Sequence, residues 1–593
     1  MKRYPFELTG LAKTIHQERY TLYPEETWEQ TCKRVSTHVA GAEKPDKIKY
    51  WEEKFYNEIV ANKLLPGGRI LYGCGRQRAA LGNCFALPAG DSREKWGELI
   101  SEFIVVSGLG GGVGINFSTI RPNGTPINGT GGKASGAVSL MRIVDAAAKE
   151  IKDGGSRRAA ALFALNIDHP DIEQFITEKI DKHKLNSANM SVFFDKDPEL
   201  FFDDVGNNRD IELKWNNKVV KKINAKDIWR KLISNAIDNG EPGLLNGYYI
   251  NKMNNTYYHE KIISLNACSE IPLENHNMCV LSSIVLPRFV DFDTGDINWE
   301  ELGDTIATSI RFLDDVISVN FYPLSQIEQT VKLLRRVGLG VIGLYDMLIL
   351  CGYKYGSAKS IEMIDKLFDF IKTRSYETSV LLAAEKGVFP VYDQEKYMKS
   401  EFVKGLKHGL KSKIKDYGIR NASLLSLQPT GTTGLLTGFT GGIEPIISPV
   451  YKRVYTSRKS EKLESEYVIN RLFLDFIKSK KDTSNFVSSY DLTMEDHLSV
   501  QVACQKHIDN AISKTIIIKD ETIEDVSKVI IKNFGKIKGL TIYKPGSREN
   551  EPIQPMSLEE SERYVKKHIN DNVLDTNQSV IEKQCKDGAC DLR

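Results

Sequence analysis

Ser264-Leu-Asn-Ala-Cys-Ser-Glu-Ile-Pro-Leu273 carries more chemical information than any other part of this chain. It places the thiol of Cys268 two residues after the amide of Asn266 and two residues before the carboxylate of Glu270. In an extended segment, residues two apart point to the same side, so we expect the three side chains to face one substrate. A second thiol, Cys279, follows eleven residues later. A base, an amide and thiols converging on one point indicate redox or radical chemistry rather than packing.

Bulk properties describe an ordinary globular protein. Its 593 residues exceed the usual single-domain size, so the length predicts two to four domains or one large barrel. The net charge of +2 gives no reason to expect nucleic acid or an anionic membrane as a partner. No apolar run approaches the roughly 18 residues of a membrane span, and the first residues have no apolar signal core. We therefore expect a cytoplasmic protein with neither a membrane nor a nucleic-acid partner.

The cysteines do not form a disulfide framework. Their number is odd, they are spread over a long chain, and no signal sequence precedes them. We expect Cys32, Cys351 and Cys504 to pack in apolar surroundings, and we assign no role to Cys74 in its turn-like context. The nine are Cys32, Cys74, Cys84, Cys268, Cys279, Cys351, Cys504, Cys585 and Cys590.

Periodicity divides the chain into three parts. Residues 1–75 are predicted as a helical region, broken by Leu64-Leu-Pro-Gly-Gly68. Within 76–548, short apolar runs alternate with amphipathic helices, which predicts an α/β architecture with a largely parallel sheet. Residues 549–593 are polar and are predicted to be a flexible tail, which ends in Cys585 and Cys590.

Two glycine-rich segments fail as nucleotide-binding motifs. Gly108-Leu-Gly-Gly-Gly-Val-Gly114 lacks the third glycine of a dinucleotide fingerprint, and Gly131-Gly-Lys-Ala134 lacks the hydroxyl and the first glycine of a P-loop. Gln428-Pro-Thr-Gly-Thr-Thr-Gly434 is a better phosphate site. Its backbone N–H groups and threonine hydroxyls can form an anion-binding nest, especially if it opens a helix. The predicted phosphate residues are Thr430, Gly431, Thr432 and Thr433.

Several blocks, in order, resemble ribonucleotide reductases. The first segment is similar to the family's finger loop, usually Asn-Pro-Cys-Gly-Glu, with Ala267 and Ser269 replacing its proline and glycine. The 428–434 segment resembles the Pro-Thr-Gly-Thr phosphate loop, and Gly441-Gly-Ile-Glu-Pro445 is another matching block. Further similar blocks lie at 82–88, 110–124, 154–172, 335–343 and 539–547. The resemblance covers roughly residues 15–548 together with the tail cysteines.

The resemblance implies a ten-stranded α/β barrel with a central finger loop, an N-terminal helical region and a flexible C-terminal tail. It implies that Cys268 becomes a thiyl radical that takes the 3′-hydrogen of a ribonucleotide, and that Glu270 accepts the 3′-hydroxyl proton. Asn266 would hold the substrate oxygens. Cys84 and Cys279 would donate the reducing equivalents and end as a disulfide. Diphosphates are the expected substrates.

The resemblance also implies regulation and a reductant. The expected binding residues for deoxynucleotide or ATP effectors are Asp91, Ser92, Arg121, Arg157 and Arg158. Cys585 and Cys590, with four residues between them, would shuttle electrons from a thioredoxin-like or glutaredoxin-like donor. A homodimer is expected, and no metal site is expected within the chain.

The source of the radical leaves two alternatives open. The sequences of Gly132–Met141 and of the phosphate loop are most similar to those of the adenosylcobalamin-dependent class, which we favour. Tyr543 is a single tyrosine where oxygen-dependent relatives carry a pair. A large subunit that takes its radical from a separate metal-bearing subunit remains an alternative, as does a catalytically inactive nucleotide-binding regulator.

Overall fold

The computed structural model describes residues 4, 6–8, 10–129, 131–153, 157–181, 183–456, 463–545 and 553–568. At 152–153, 157–158, 453–456, 463–466 and 553 only the course of the backbone is described.

The helices are distributed over the whole described chain. They are α1 Gly10–Arg19, α2 Trp28–Ala40, α3 Ile48–Val60, α4 Gly68–Gly73, α5 Arg93–Gly108, α6 Ala137–Glu150, α7 Ile172–Thr177, α8 Pro198–Gly206, α9 Ala225–Asn239, α10 Gly247–Lys252, α11 Trp299–Val319, α12 Ser325–Leu334, α13 Leu344–Leu350, α14 Ala358–Lys386, α15 Gln394–Tyr397, α16 Glu401–Lys404, α17 His408–Tyr417, α18 Gly431–Thr437, α19 Arg471–Lys478, α20 Met494–Gln505, α21 Ile523–Phe534 and α22 Leu558–His568. No helix in the described ranges has the length and apolar character needed to cross a membrane.

The strands are mostly short. They are β1 Leu64–Pro66, β2 Cys84–Ala86, β3 Gly112–Asn116, β4 Lys152–Asp153, β5 Arg157–Arg158, β6 Ala161–Asn166, β7 Ala188–Phe193, β8 Asp210–Trp215, β9 Lys218–Asn224, β10 Gly243–Leu245, β11 Ser264–Leu265, β12 Pro272–Leu273, β13 Asn277–Val285, β14 Val337–Ile342, β15 Val450–Thr456, β16 Leu463–Ile469, β17 Thr515–Ile517, β18 Gly539–Tyr543 and β19 Ile553–Pro555.

The predicted N-terminal helices are confirmed, and α2 shows why they form. Thr27 and Gln30 make a capping box that satisfies the N–H groups of the first turn. Along the helix, Cys32, Val35 and Val39 recur at helical spacing and are fully buried. Cys32 therefore packs in the core, as predicted.

The barrel consists of two half-barrels that run in opposite directions. In the first half, β2, β3, β6, β7 and β10 pair in parallel. In the second half, β13 and β14 are parallel, as are β17 and β18. The halves meet in antiparallel pairs, β2 with β13 and β10 with β18, while β1 adds to β13 outside the wall. The prediction of a largely parallel α/β sheet is confirmed.

An extended segment, 423–427, closes the second half-barrel. Leu425 bridges Leu339 of β14 in parallel, and Leu427 bridges Ile512 just before β17. With this segment, the described wall has ten members, nine strands and residues 423–427. The expected ten-stranded barrel is therefore confirmed, although one member is too irregular to form a regular ladder.

The carboxylate of Asp509 holds this closure together. It accepts hydrogen bonds from the backbone N–H groups of Leu424 and Leu425, both at 2.8 Å, and from the hydroxyl of Tyr376 at 2.7 Å. Burial raises the pKa of Asp509, while these three donors oppose that rise. The carboxylate thereby satisfies backbone donors that the irregular segment cannot pair by itself.

We expect Asp509→Ala to lower the free energy of unfolding by about 3 kcal/mol or more, because it leaves three buried donors unsatisfied. The measurement is urea unfolding followed by circular dichroism. Asp520→Ala is the matched control; Asp520 is exposed, so its replacement should change stability by less than about 0.5 kcal/mol. Equal effects of the two substitutions would show that the closure does not depend on this carboxylate.

Candidate active site

The finger loop is a hairpin inside the barrel. Ser264 pairs with Leu273 and Leu265 with Pro272. The loop contacts both half-barrels: the side-chain amide of Asn189 on β7 donates to Ala267 O at 3.1 Å, and Ala511 N donates to Glu270 O at 2.9 Å. Apolar side chains of its two strands belong to separate buried clusters. The hairpin is thus held from both sides.

The tip of the hairpin is a turn, so the expectation of an extended segment with three side chains on one side is wrong. Ser269 has a φ of 66°, in the left-handed region, and its N–H donates to Asn266 O at 3.0 Å. As a result Asn266 and Glu270 are buried at 2% exposure, whereas Cys268 is exposed. The reversal of the chain, rather than strand alternation, separates the thiol from the amide and the carboxylate.

Glycines of β3 make room for this hairpin. A Cβ added at Gly114 would lie 1.5 Å from Leu265 O, and one added at Gly112 would lie 3.1 Å from the Ala267 Cβ. Packing therefore explains two glycines of the 108–114 run: they let the backbone of β3 lie directly against the finger loop.

Cys84 lies between the amide and the carboxylate of the finger loop. The Asn266 side-chain N–H donates to Cys84 Sγ at 3.0 Å, and Cys84 Sγ donates to Glu270 Oε1 at 3.5 Å. The Asn266 carbonyl oxygen accepts from Ile271 N at 2.9 Å, which fixes the amide. Burial raises the pKa of Cys84 well above its usual value, and the Glu270 charge raises it further. Cys84 is therefore held as a neutral thiol beside a base.

The two thiols expected to form a redox pair lie directly opposite each other. Cys84 on β2 and Cys279 on β13 are partners in an antiparallel ladder. Directly opposed residues in such a ladder have Cα atoms about 4.5–5.5 Å apart, within the range that a disulfide bridges. Both cysteines are buried, and no disulfide joins them in this structure. The barrel thus brings together two thiols that are distant in sequence.

Cys268 faces a cleft at the tip of the hairpin. The cleft is lined by Leu245 at the end of β10, by the segment that leads into β17, and by the start of β18. Ser513, Thr515 and Thr541 are among its lining residues and bring hydroxyl groups. Cys84 and Cys279 are buried behind the hairpin, so of these three thiols only Cys268 is accessible from this cleft.

A second carboxylate near the hairpin, Glu274, has a perturbed acidity. Burial raises the pKa of Glu274 to about 7; Glu260 adds to the rise and Arg336 opposes it. In the unfolded chain a glutamate ionises near 4.3. Between these values the folded protein holds a proton that the unfolded chain has lost, so its free energy of unfolding falls as the pH rises through this window.

Relative to the parent, Glu274→Gln is therefore expected to have a higher free energy of unfolding at pH 8 than it has at pH 4. After allowance for the partial exposure of Glu274, the free energy of unfolding of the variant minus that of the parent should increase by on the order of 1 kcal/mol from pH 4 to pH 8. Urea unfolding at both pH values measures it. The same difference at pH 4 and pH 8 would contradict this reading of Glu274.

The predicted phosphate loop opens a helix, the arrangement that favours an anion-binding nest. Thr430 adopts φ 49° and directly precedes α18, while Thr432 and Thr433 are half-buried in its first turn. The Thr430 hydroxyl oxygen accepts from Gly442 N at 2.9 Å, so this side chain joins the loop to the 441–445 block. Thr433 also lies near Gly68 at the start of α4. Backbone donors and the hydroxyls of Thr432 and Thr433 remain the best candidates for phosphate contacts.

The predicted effector residues Asp91, Ser92 and Arg121 lie close together. Arg121 donates to Asp91 from its backbone N at 3.0 Å and from Nε at 2.9 Å. Ser92 caps α5 by accepting from Lys95 N. Trp215, at the end of β8, places its ring 5.9 Å from the Arg121 guanidinium carbon.

Four predicted residues cannot be placed in this way. Arg157 and Arg158 form the short strand β5, but their side chains lie outside the described residues. Cys585 and Cys590 lie entirely outside the described residues.

One charged group near the thiols was missed by sequence reasoning. Arg336 precedes β14, is 4% exposed, and pairs with the buried Glu260. Its position in Arg335-Arg336, immediately before the apolar run 337–342, was the only available signal. A charge at the start of a buried strand needs a partner, but the partner lies far away in sequence.

Comparisons with known proteins agree with this geometry. Residues 82–543 match the ribonucleotide reductase barrel domain, and residues 6–79 match the all-alpha domain of ribonucleotide reductase. The chain is 32% identical over 569 residues to the vitamin B12-dependent ribonucleoside-diphosphate reductase of Thermoplasma acidophilum, covering 90% of this chain and 71% of the relative.

Two further relatives show how far the similarity extends. The vitamin B12-dependent ribonucleoside-diphosphate reductase of Mycobacterium tuberculosis (strain CDC 1551 / Oshkosh) is 30% identical over 583 residues, 93% of this chain and 81% of the relative. The ribonucleoside-diphosphate reductase large subunit of variola virus is 26% identical over 444 residues, 67% of this chain and 57% of the relative. The barrel, the finger loop with its opposed thiols, and these matches together establish that the chain belongs to the ribonucleotide reductase family.

Proposed function

We propose that this chain reduces ribonucleoside diphosphates to 2′-deoxyribonucleoside diphosphates by thiyl-radical chemistry. The observation that carries the proposal is the arrangement around the finger loop. Cys84 contacts both Asn266 and Glu270 and lies directly opposite Cys279, while Cys268 is at the exposed tip. A dithiol beside a base and a third, separate thiol are what a radical dehydration and reduction of a sugar requires.

Each group has a distinct task in this chemistry. Cys268, as a thiyl radical, takes the 3′-hydrogen and later returns it. Glu270 accepts the 3′-hydroxyl proton, which requires a carboxylate held close to its target. The 2′-hydroxyl then leaves as water. Cys84 and Cys279 supply two electrons and two protons and become a disulfide, so the sugar is reduced and the dithiol is oxidised. Asn266 orients Cys84 through its N–H.

We propose adenosylcobalamin as the radical source, bound at the cleft beside Cys268. With an empty volume of about 350 Å³, the cleft would take only the part of the cofactor next to the accessible thiol, where Ser513, Thr515 and Thr541 bring hydroxyls. The relatives from Thermoplasma and Mycobacterium are named vitamin B12-dependent. When bound, the cofactor supplies a carbon-centred radical through homolysis of its cobalt–carbon bond.

The experiment that tests this function is an anaerobic assay of CDP or ADP with the purified chain, dithiothreitol and adenosylcobalamin, scored for deoxynucleotide. Product without a second subunit is the expected result. Activity that appears only with an iron or manganese partner protein would instead favour the alternative of a separate radical subunit. Nucleotide binding without turnover under every condition would favour the alternative of a regulator.

Regulation and assembly complete the proposal. Asp91, Ser92 and Arg121 would bind a deoxynucleotide or ATP effector, joined by Arg157 and Arg158 from the neighbouring loop. A homodimer would cover the apolar side chains exposed on the adjacent helices α5 and α6. These are Ile104 at 46%, Val105 at 41% and Ile143 at 43% exposure. We also propose a cytoplasmic enzyme organised as 1–75, 76–548 and 549–593, because the odd number of scattered cysteines is not a disulfide framework.

We further propose that the tail cysteines relay electrons from thioredoxin or a glutaredoxin-like donor. Cys585→Ser should then leave activity with dithiothreitol within about twofold of the parent but lower activity with thioredoxin by about tenfold or more, because a small dithiol reaches the buried disulfide without a shuttle. Steady-state rates with each reductant measure this. Cys351→Ser, at a half-buried site away from the finger loop, is the control. Equal losses with both reductants would exclude the shuttle.

A further inference from the structure

The two thiols of the redox pair have electrostatically different surroundings. Cys84 faces Glu270 and Asn266. The charged and thiol groups that act on it, Glu270, Cys279 and Cys268, all disfavour its thiolate in addition to the effect of burial. Cys84 therefore lies next to a negative charge.

Cys279 lies beside a positive charge. Its thiol donates to Val280 O at 3.5 Å and to Arg336 O at 3.8 Å. Because Val280 pairs with Val337 in the β13–β14 ladder, Cys279 and Arg336 are side by side at the start of that pairing. Burial raises the pKa of Cys279, and Arg336 is the largest opposing influence; Glu270 from the finger loop and Asp509, which binds residues 424 and 425, add to the rise.

Arg336 is held rigidly in this position. Its guanidinium donates to Glu260, to the Ser423 hydroxyl at 3.1 Å and to the Asn510 side-chain oxygen at 3.3 Å. Among the described residues its buried Nε–H has no hydrogen-bond acceptor. A buried arginine with a spare donor is costly, so a further acceptor that forms during the reaction cycle would use it.

We propose that Arg336 is a positioning residue for re-reduction, which stabilises Cys279 as the leaving thiolate and so directs an incoming thiol to Cys84. This inference rests on the proposed function, because it concerns the disulfide that turnover leaves behind. An attacking thiolate forms a bond to Cys84 Sγ while the Cys84–Cys279 bond breaks, and the electron pair stays on Cys279. A second thiol of the reductant then displaces Cys84, and both sulfurs take up protons.

The physical basis is the dependence of thiol exchange on the leaving group. A sulfur whose thiolate is stabilised leaves faster, and a nearby cation stabilises a thiolate strongly where water is excluded. Cys279 has such a cation, whereas the largest influences on Cys84 are burial, the Glu270 carboxylate and the neighbouring thiols. The disulfide is therefore expected to open by attack on Cys84, with Cys279 as the leaving thiolate.

The first test uses the full-length chain with Cys268→Ala, Cys585→Ser and Cys590→Ser, so that neither the exposed finger-tip thiol nor the tail thiols compete with the barrel pair. Diamide forms the Cys84–Cys279 disulfide, glutathione opens it briefly, and N-ethylmaleimide then traps free thiols for peptide mass spectrometry. We expect glutathione on Cys84 and maleimide on Cys279 in at least about tenfold excess over the reverse pattern. An even or reversed distribution would overturn the inference.

The second test removes the charge without leaving a lone buried ion. Arg336→Gln combined with Glu260→Gln should abolish the preference and slow reduction by dithiothreitol by about tenfold, whereas Arg336→Lys should retain much of both. The matched control is Arg335→Gln with Asp314→Asn, a neighbouring buried ion pair with a contact of 2.8 Å. An unchanged preference in the first variant, or an equal loss in the control, would overturn the role of Arg336.

These measurements need neither nucleotide nor cofactor. If exchange is directional but no deoxynucleotide forms, the inference about Arg336 stands and the proposed function is refuted. If deoxynucleotide forms but exchange is not directional, the proposed function stands and the inference is refuted.

Discussion

Cys268→Ala is expected to abolish deoxynucleotide formation with every reductant, by at least about 10³-fold, because no other group at the finger tip can take up a hydrogen atom. The exposed position of Cys268, separate from the buried pair, is the reason. The loss should not depend on whether dithiothreitol or thioredoxin is supplied, since it precedes any disulfide chemistry. The measurement is the anaerobic assay of CDP reduction.

A matched control separates this loss from a folding defect. Cys351→Ala replaces a half-buried thiol at the end of α13 and should keep activity within about twofold of the parent. Both variants should retain the parent's thermal unfolding temperature within a few degrees. Residual turnover of Cys268→Ala at a tenth of the parent rate would mean that another thiol starts the reaction.

Glu270→Gln is expected to lower turnover by about 10²–10⁴-fold, the range that a positioned general base contributes. The amide keeps the shape of the side chain and can still hydrogen-bond to Cys84, so the fold and the thiol pair should be unaffected. Nucleotide binding should remain within a few-fold, because the base acts on the bound sugar. Rate and affinity measured separately, by turnover and by equilibrium binding, distinguish these effects.

Two neighbouring variants sharpen that test. Glu270→Asp keeps a carboxylate but withdraws it by one methylene. Its turnover should fall less than that of Glu270→Gln if the negative charge matters most, and by as much if the position of the carboxylate matters most. Glu274→Gln removes a carboxylate four residues along the same segment and should leave turnover within about threefold. A glutamine variant at position 270 that works as well as the parent would remove the general base from the proposal.

The sequence alone was sufficient for the elements and for the residue types of the site. Helical spacing predicted the N-terminal helices, and the alternation of apolar runs and helices predicted the parallel α/β sheet. The resemblance of Asn-Ala-Cys-Ser-Glu to the family motif marked the finger loop, and the threonine-rich segment proposed for phosphate binding lies at the start of a helix. These features are local, since periodicity and turn chemistry depend on residues close together in the chain.

The tertiary structure alone determined how these residues meet. Cys84 lies opposite Cys279 only because β2 and β13 join the two half-barrels in one register. The turn at Ser269, rather than strand alternation, exposes Cys268 while it buries Asn266 and Glu270. Arg336 reaches Cys279 through the pairing of β13 with β14. Strand pairing between distant segments, and the burial of charge that accompanies it, arise from closure of the whole barrel, which no local pattern specifies.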